Sequence, residues 1–119
     1  MQYESYPLPS YVAADITKET AFPSNYFKLI YCERVLYHIA CDESESETDN
    51  MLLAMQEIAR ITKPGGLVVA IEPKTCSPEN NTFVNLHHDF SRAGLLKVEN
   101  LEIPMSFANK EIYLYSKPE

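Results

Sequence analysis

Glycine is scarce in this sequence, which has three glycines among 119 residues, at Gly65, Gly66 and Gly94. None stands in a Gly-x-Gly arrangement near the N-terminus, so the glycine-rich turn that approaches a nucleotide cofactor is not encoded there. Basic residues are also few: ten Lys and Arg stand against 17 Asp and Glu, for a net charge of −7. A nucleic-acid backbone requires a basic face, so we expect no nucleic-acid partner.

Long apolar runs and Cys-x-x-Cys motifs are also missing. No run approaches the roughly 20 apolar residues that cross a bilayer. The N-terminal ten residues, MQYESYPLPS, have neither the basic segment nor the apolar core of a signal peptide. The three cysteines, Cys32, Cys41 and Cys76, are an odd number without Cys-x-x-Cys spacing. We therefore expect no membrane contact, reduced thiols and a cytoplasmic location.

The most informative stretch that is present runs over residues 51–74, MLLAMQEIARITKPGGLVVAIEPK. Apolar residues recur at helical spacing up to Ile61, and Pro64 cannot continue a helix. Gly65 and Gly66 can adopt the positive φ of a tight reversal. The strand over 67–72 that follows has no polar alternation, so it is typical of a central α/β strand with both faces covered.

The remaining elements are predicted from the same kinds of signal. We expect one domain over 1–119, an irregular arm at 1–10, and an acidic exposed loop over 42–50, with Thr48 or Asp49 capping the next helix. The expected elements are a short strand at 11–14, strands at 27–32, 96–103 and 111–116, a helical turn at 35–39, and helices at about 50–62 and 80–93.

Three segments resemble the class I S-adenosylmethionine-dependent methyltransferase family (the small-molecule, type 11-like group). Residues 51–74 resemble its helix–Lys-Pro-Gly-Gly–strand segment, and residues 23–39, PSNYFKLIYCERVLYHI, resemble the preceding strand and its exit loop. Lys28 stands where the family has aspartate. Residues 90–95 and 110–118 resemble the last helix, its exit turn and the final strand. The resemblance covers about residues 12–118.

The resemblance implies an α/β fold, a partial Rossmann-like sheet with flanking helices. Its strand order would be about 4-5-7-6 in the numbering of a complete domain, with the last strand antiparallel. The first, glycine-rich half of such a domain has no counterpart here. We therefore expect the C-terminal half of a methyltransferase domain, one that binds S-adenosylmethionine very weakly or not at all by itself.

The resemblance also implies a cofactor site. Asp15 would accept a hydrogen bond from the adenine amino group, and Ile16 would flank the ring. Cys32 and Glu33 follow at the carboxyl end of a strand, where ligands bind in open α/β sheets. The alternatives are that Asp15 caps a turn, that Cys32 is a core residue, and that Glu33 is a solvated charge.

Two further residues are candidates for contact with a substrate. His38 lies in a loop that borders the transfer site in the family, and the ordinary pKa of a histidine suits proton removal, although such a histidine more often packs and hydrogen-bonds to the backbone. Glu72 ends the next strand and is either a substrate contact or a solvated charge. We predict no metal site, because the adjacent His87 and His88 would point about 100° apart on a helix.

Two functions remain open on this basis. The first is methyl transfer from S-adenosylmethionine to a small-molecule acceptor, as part of a complete or assembled domain. The alternative is a non-catalytic remnant that acts as a protein-interaction module. In either case the strand at 27–32 lacks a neighbour on one side, and an unpaired strand edge is a template for association. We expect a homodimer or a partner protein to pair there, rather than the N-terminal arm.

Overall fold

The computed structural model describes residues 14–42, 49–77, 83–99 and 104–119. The arm at 1–10, most of the strand predicted at 11–14 and most of the acidic loop lie outside these residues. The elements are β1 (Phe27–Glu33), α1 (Leu36–Ala40), α2 (Asn50–Ile61), β2 (Thr62–Pro73), α3 (His87–Arg92), β3 (Leu96–Lys97), β4 (Ser106–Phe107) and β5 (Lys110–Ser116). In these residues no helix has the length and apolar character that a membrane span requires.

The strands form one mixed sheet in the order β1-β2-β5-β3, and β4 also pairs with β5. β1 and β2 are parallel, whereas β5 is antiparallel to both β2 and β3. This arrangement is the predicted order 4-5-7-6 with an antiparallel last strand, so the predicted fold class is confirmed. The carboxyl ends of β1 and β2 therefore meet at one edge of the sheet, which we call the carboxyl edge.

The Lys-Pro-Gly-Gly segment lies at the opposite end of the sheet. β2 begins earlier than predicted, because Thr62 already pairs with Phe27 before the register shifts to Leu29 and Leu67. Gly65 has a φ of 79°, as expected for a tight reversal. A Cβ on Gly66 would lie 2.8 Å from the Lys63 carbonyl oxygen, so only glycine fits this bulge.

All three helices pack on the same face of the sheet. Asp49 caps α2, as predicted, by accepting a hydrogen bond from the Leu52 N–H at 3.0 Å. The core on this face combines residues of the three helices with β2 and β5: Leu36, Met55, Ile58, Val68, Ala70, Phe90, Tyr113 and Tyr115. The burial alternates along each strand because successive side chains point to opposite faces.

The other face of the sheet is more open than predicted. Leu29, Tyr31 and Leu67 are 57%, 56% and 40% exposed, and Val69 and Ile71 are only partly buried. Among the described residues no helix covers this face. The expectation that both faces of the 67–72 strand are covered is therefore wrong for these residues.

Two other predicted boundaries differ from the structure. The helix predicted from about residue 80 begins at His87, because backbone groups just before it have tertiary partners. The Val84 N–H donates to the Lys74 carbonyl at 2.8 Å, and the Leu86 N–H donates to the Tyr113 hydroxyl at 3.3 Å. β3 ends at Lys97, and residues 100–103 of the predicted strand lie outside the described residues.

The cysteines correct a further expectation. Cys41 and Cys76 form a disulfide, with their Cα atoms 5.6 Å apart, and Cys32 is a free thiol. The bond joins the end of α1 to the loop after β2, two segments that parallel pairing of β1 and β2 brings to the same edge. The prediction of three reduced thiols is therefore wrong for Cys41 and Cys76. The cytoplasmic location that rested on it stays a prediction.

Candidate functional site

Glu72 occupies the centre of the carboxyl edge. Its side chain is fully buried, on the face that the helices cover. Oε1 accepts hydrogen bonds from the Val35 and Leu36 backbone N–H groups, at 3.1 and 2.8 Å, whereas Oε2 is buried without a hydrogen-bond partner in the described part of the chain. Burial raises the pKa of this carboxyl above its ordinary value, and the backbone N–H groups of Leu36, Val35 and Tyr37 only partly oppose the rise. Glu72 is therefore neither the solvated charge nor the exposed substrate contact that the sequence allowed.

The loop that Glu72 holds is strained. Arg34 has a φ of 56°, which is unfavourable for a residue with a long side chain. Its N–H donates to the Ile71 carbonyl at 3.0 Å, and its guanidinium lies 5.5 Å from the centre of the Tyr37 ring. Strain of this kind persists where the surroundings over-determine the backbone, and such positions cluster at ligand sites.

Cys32 and Glu33 lie on opposite faces of β1. Cys32 packs against the core, and burial together with the nearby Glu72 charge raises its thiol pKa to about 11. It is therefore a protonated wall residue, not a nucleophile. Glu33 is exposed on the open face and accepts a hydrogen bond from the Tyr31 hydroxyl at 2.8 Å. The structure thus separates these two predicted cofactor residues.

Asp15 caps a turn, which is the alternative to the cofactor role that the sequence left open. Its Oδ1 accepts from the Thr17 N–H at 2.9 Å and from the Thr17 hydroxyl at 2.6 Å, and these bonds lower the Asp15 pKa. Ile16 is partly buried against the core. Within the described residues, no hydrogen bond or ion pair connects Asp15 with Glu33. The role of Asp15 and Ile16 at an adenine ring stays a prediction.

His38 is exposed on α1, one turn from the loop that Glu72 holds. Its N–H donates to the Val35 carbonyl at 3.3 Å, and its ring lies 4.0 Å from the Tyr37 ring. The positively charged form of His38 would lower the Glu72 pKa, so the two side chains share the carboxyl edge. A catalytic role for His38 stays a prediction.

A second group of polar residues lies at the same edge and was not predicted from the sequence. A cavity of about 290 Å³ is lined by Lys74, which follows β2, by His87 at the start of α3, and by Glu111 of β5. Glu111 pairs with Glu72 across β2 and β5, so the two side chains share a sheet face. The available signal was that Lys74 directly follows a buried strand. Lys74 could not be recognised as a cavity residue, because the opposite wall is formed by segment 83–87, which was predicted to be helical.

Comparison with known proteins gives this edge a context. The profile of the methyltransferase domain family matches residues 1–70, more than half of the chain. The chain belongs to the class I S-adenosylmethionine-dependent methyltransferase family. It is also 33% identical over 89 residues to the Arabidopsis thaliana protein named Probable pectin methyltransferase QUA2. That match includes 72% of this chain but spans only 12% of the length of the plant protein.

Solved methyltransferase structures share the fold. The chain superposes on the N-methyltransferase NodS of Bradyrhizobium japonicum WM9 in complex with S-adenosyl-L-homocysteine with a TM-score of 0.59 and 22% identity, over 92% of this chain and 55% of NodS. It superposes on the CurJ carbon methyltransferase with a TM-score of 0.65 and 13% identity, over 98% of this chain and 37% of CurJ. For the complex of the Haloferax volcanii Trm112 methyltransferase activator with a methyltransferase, the values are 0.64 and 14%, over 98% of this chain and 66% of that one.

The polar groups at the carboxyl edge fit the chemistry of S-adenosylmethionine. The cofactor presents amino groups and hydroxyls, which donate hydrogen bonds, and a positively charged sulfonium. The exposed Glu33 carboxylate at this edge is an acceptor for such donors. The buried Oε2 atom of Glu72 adds negative potential at the same edge when the carboxyl is ionised. A carboxylate at this edge therefore suits the cationic sulfonium and the amino groups of the cofactor.

Proposed function

We propose that this chain takes part in methyl transfer from S-adenosylmethionine to a small-molecule acceptor, as part of a complete or assembled domain. The observation that carries the proposal is the buried, half-partnered carboxyl of Glu72 beneath a strained loop at the carboxyl edge, in a member of this family. Buried groups with an unpaired atom and a perturbed pKa cluster at functional sites.

Each residue of the edge has a distinct role in this proposal. S-adenosylmethionine, when bound, supplies an electrophilic methyl group. Glu33 and Asp15 hold its hydrogen-bond donors, and Ile16 supplies an apolar wall. Glu72 is a positioning residue, since it touches the Val35 and Leu36 N–H groups and fixes the loop. The exposed His38 accepts the proton that a hydroxyl or amine acceptor releases.

The acceptor is proposed only as a class. NodS is named an N-methyltransferase, CurJ a carbon methyltransferase and the plant relative "Probable pectin methyltransferase QUA2", so these names cover chemically different acceptors. A small molecule fits the size of the cavity beside Glu72, which is near the lower end of the range for ligand pockets.

Nuclear magnetic resonance titration of the ¹⁵N-labelled chain with S-adenosylhomocysteine tests the cofactor site. We expect a dissociation constant of about 1 mM or weaker for the chain alone, since such weak contacts supply roughly 4 kcal/mol. Shifts should concentrate at residues 33–38 and at Asp15 and Ile16. The Lys-Pro-Gly-Gly bulge is the internal reference and should not move. Shifts confined to other regions would refute the site.

The open sheet face favours the alternative function, a protein-interaction module. β1 pairs only with β2 among the described residues, and Tyr26, Leu29 and Tyr31 are each more than half exposed. Apolar surface beside an unpaired strand edge is typical of an association site. The Trm112 complex among the structural neighbours supports a partner protein in this family.

Light scattering combined with amide hydrogen exchange tests the association. We expect a dimer or larger species in which the β1 amides exchange slowly, and Leu29→Lys should convert it to a monomer. Lys28→Glu is the matched control, because Lys28 is exposed and its change introduces no charge into the apolar patch. A monomer with fast exchange along β1 would contradict both a homodimer and a stable edge covering.

A further inference from the structure

The cavity beyond β2 is built from segments whose backbones are fixed. The Lys74 N–H donates to the Asn109 carbonyl at 2.7 Å, and its own carbonyl accepts from Val84. An isolated bridge joins Thr75 to Phe83. The cavity wall therefore consists of paired backbone, which suits a preformed pocket more than a chance gap between loops.

Lys74 brings a positive charge to this wall. Its ammonium donates to the Ser106 hydroxyl at 3.2 Å and to the Ala108 carbonyl at 3.4 Å, both of which are neutral acceptors. Among the described residues it forms no ion pair. In a chain of net charge −7, an ammonium that lines a cavity without a carboxylate partner is an attractive point for an anion.

Phe83 gives the cavity an aromatic rim. Its side chain is 82% exposed, the most exposed large apolar side chain of the described residues. A phenylalanine ring held beside a cavity by a backbone bridge can stack on a flat or ring-shaped ligand. The combination of an ammonium and an open aromatic face selects for a ring that carries an anionic substituent.

His87 and Glu111 supply the remaining polarity. His87 Nδ1 lies 2.6 Å from the Tyr115 hydroxyl, and its Nε2 lies 3.8 Å from Glu111 Oε1. Burial lowers the His87 pKa, so the ring is neutral at pH 7 and its orientation is held by Tyr115. Glu111 repels a carboxylate but accepts hydrogen bonds from a hydroxyl. A ligand would therefore place its carboxylate at Lys74 and a hydroxyl toward Glu111 and His87.

We propose that the cavity formed by Lys74, Phe83, His87 and Glu111 binds a ring-bearing hydroxy acid, with the carboxylate on Lys74 and the ring against Phe83. Such a hydroxy acid would be the methyl acceptor. Only this acceptor role rests on the proposed methyl transfer. Aromatic hydroxy acids and sugar acids share the chemistry, and the pocket lies at the same edge as Glu72.

Titration of the ¹⁵N-labelled chain with 4-hydroxybenzoate and with D-glucuronate tests the pocket. The samples contain no methyl donor, so loss of the pocket and loss of methyl transfer are separate results. We expect a dissociation constant of about 1 mM or below for at least one acid, with shifts at residues 74, 83–87 and 111. Binding of only the first acid assigns an aromatic source, and binding of only the second assigns a sugar.

Variants and a neutral analogue sharpen the test. Lys74→Gln should weaken binding about tenfold, and Phe83→Ala about fivefold. Lys63→Gln and Tyr26→Ala are matched controls away from the cavity and should bind like the unchanged chain. Methyl 4-hydroxybenzoate, which lacks the carboxylate, should bind at least tenfold more weakly to the unchanged chain, whether or not a variant folds. If 4-hydroxybenzoate binds, equal binding of its ester would overturn the proposal, and so would no binding of either acid up to about 10 mM.

Discussion

Two glutamates of the described residues are buried, and their carboxyl groups have opposite surroundings. Glu57 on α2 accepts from the Arg60 Nε and Nη2 atoms, both at 2.7 Å, and from the Thr20 N–H and hydroxyl, both at 2.6 Å. Glu72 has donors on Oε1 alone. The first carboxylate has its desolvation offset by an ion pair and hydrogen bonds, whereas the second does not.

The pKa values follow this difference. The Arg60 guanidinium and the Thr20 donors lower the Glu57 pKa to about 2, whereas burial raises the Glu72 pKa. Glu57 fastens the segment 20–24 to α2, since Arg60 also donates to the Phe22 carbonyl at 2.8 Å. A carboxylate whose two oxygens both have partners connects two segments and stabilises the fold. One that is left half-partnered costs stability and is retained where a function needs it.

The largest effect on stability is expected from removal of the Cys41–Cys76 disulfide, which lies at the same edge as Glu72. Cys41→Ser combined with Cys76→Ser opens a connection between positions 35 residues apart, which should lower the free energy of unfolding by about 3–4 kcal/mol. Urea unfolding measures this value. Amide exchange should accelerate at residues 33–41 and stay unchanged at 57–61. Cys32→Ala is the control. An equal loss of unfolding free energy in this variant would show that the disulfide has no specific stabilising effect.

Glu57→Gln should cost about 2–3 kcal/mol of unfolding free energy, because Arg60 loses its ionic partner in a partly buried setting. Urea unfolding at pH 7 checks it, with the exposed Glu99→Gln as a control that should change little. The site at Glu72 should keep its chemical shifts. A variant as stable as the control would show that the Glu57–Arg60 pair does not stabilise the fold.

The pH dependence of stability should have opposite signs at the two glutamates. The Glu57 pKa is lowered from 4.5 to about 2, so its contribution is full above pH 4.5 and is lost as the pH falls toward 2. We expect a loss on the order of 2 kcal/mol, because water partly screens the exposed side of Arg60. Unfolding curves between pH 7 and pH 2 measure it, and Glu57→Gln should flatten the slope.

The smallest stability effect is expected for Glu72→Gln. The Glu72 pKa is raised, so its stabilising contribution is full below the unfolded value and is lost as the pH rises through the folded pKa. A glutamine still accepts from Val35 and Leu36 without a buried charge. We therefore expect stability at pH 8 to be equal or higher by less than about 1 kcal/mol, with weaker cofactor-induced shifts. A loss as large as that of Glu57→Gln would erase the contrast between the two glutamates.

The fold could be predicted further than the site. Apolar periodicity and the Lys-Pro-Gly-Gly segment located α2 and β2, and the family resemblance supplied the order of the strands. The site depends on burial, which local pattern does not show. Glu72 and Glu57 are both glutamates beside apolar residues in the sequence, and only tertiary contacts give one of them four donors.

The errors have the same physical origin. Cys41 and Cys76 are distant in sequence, and their pairing follows from two parallel strands that end together. The start of α3 was misplaced because Lys74 and the Tyr113 hydroxyl satisfy backbone groups that a helical turn would otherwise use. Both cases involve long-range partners, for which the residue pattern carries no local signal.

The most direct test of the account is the pKa of Glu72 itself, measured through the side-chain carboxyl ¹³C shifts in one titration of the folded chain with Glu57 and the exposed Glu99. The account predicts that Glu72 titrates above the ordinary glutamate value of about 4.3 and that Glu57 titrates well below it. A Glu72 that titrates at or below this ordinary value would mean that its carboxylate is fully compensated. The surroundings of Glu72 would then support a functional role no better than those of Glu57.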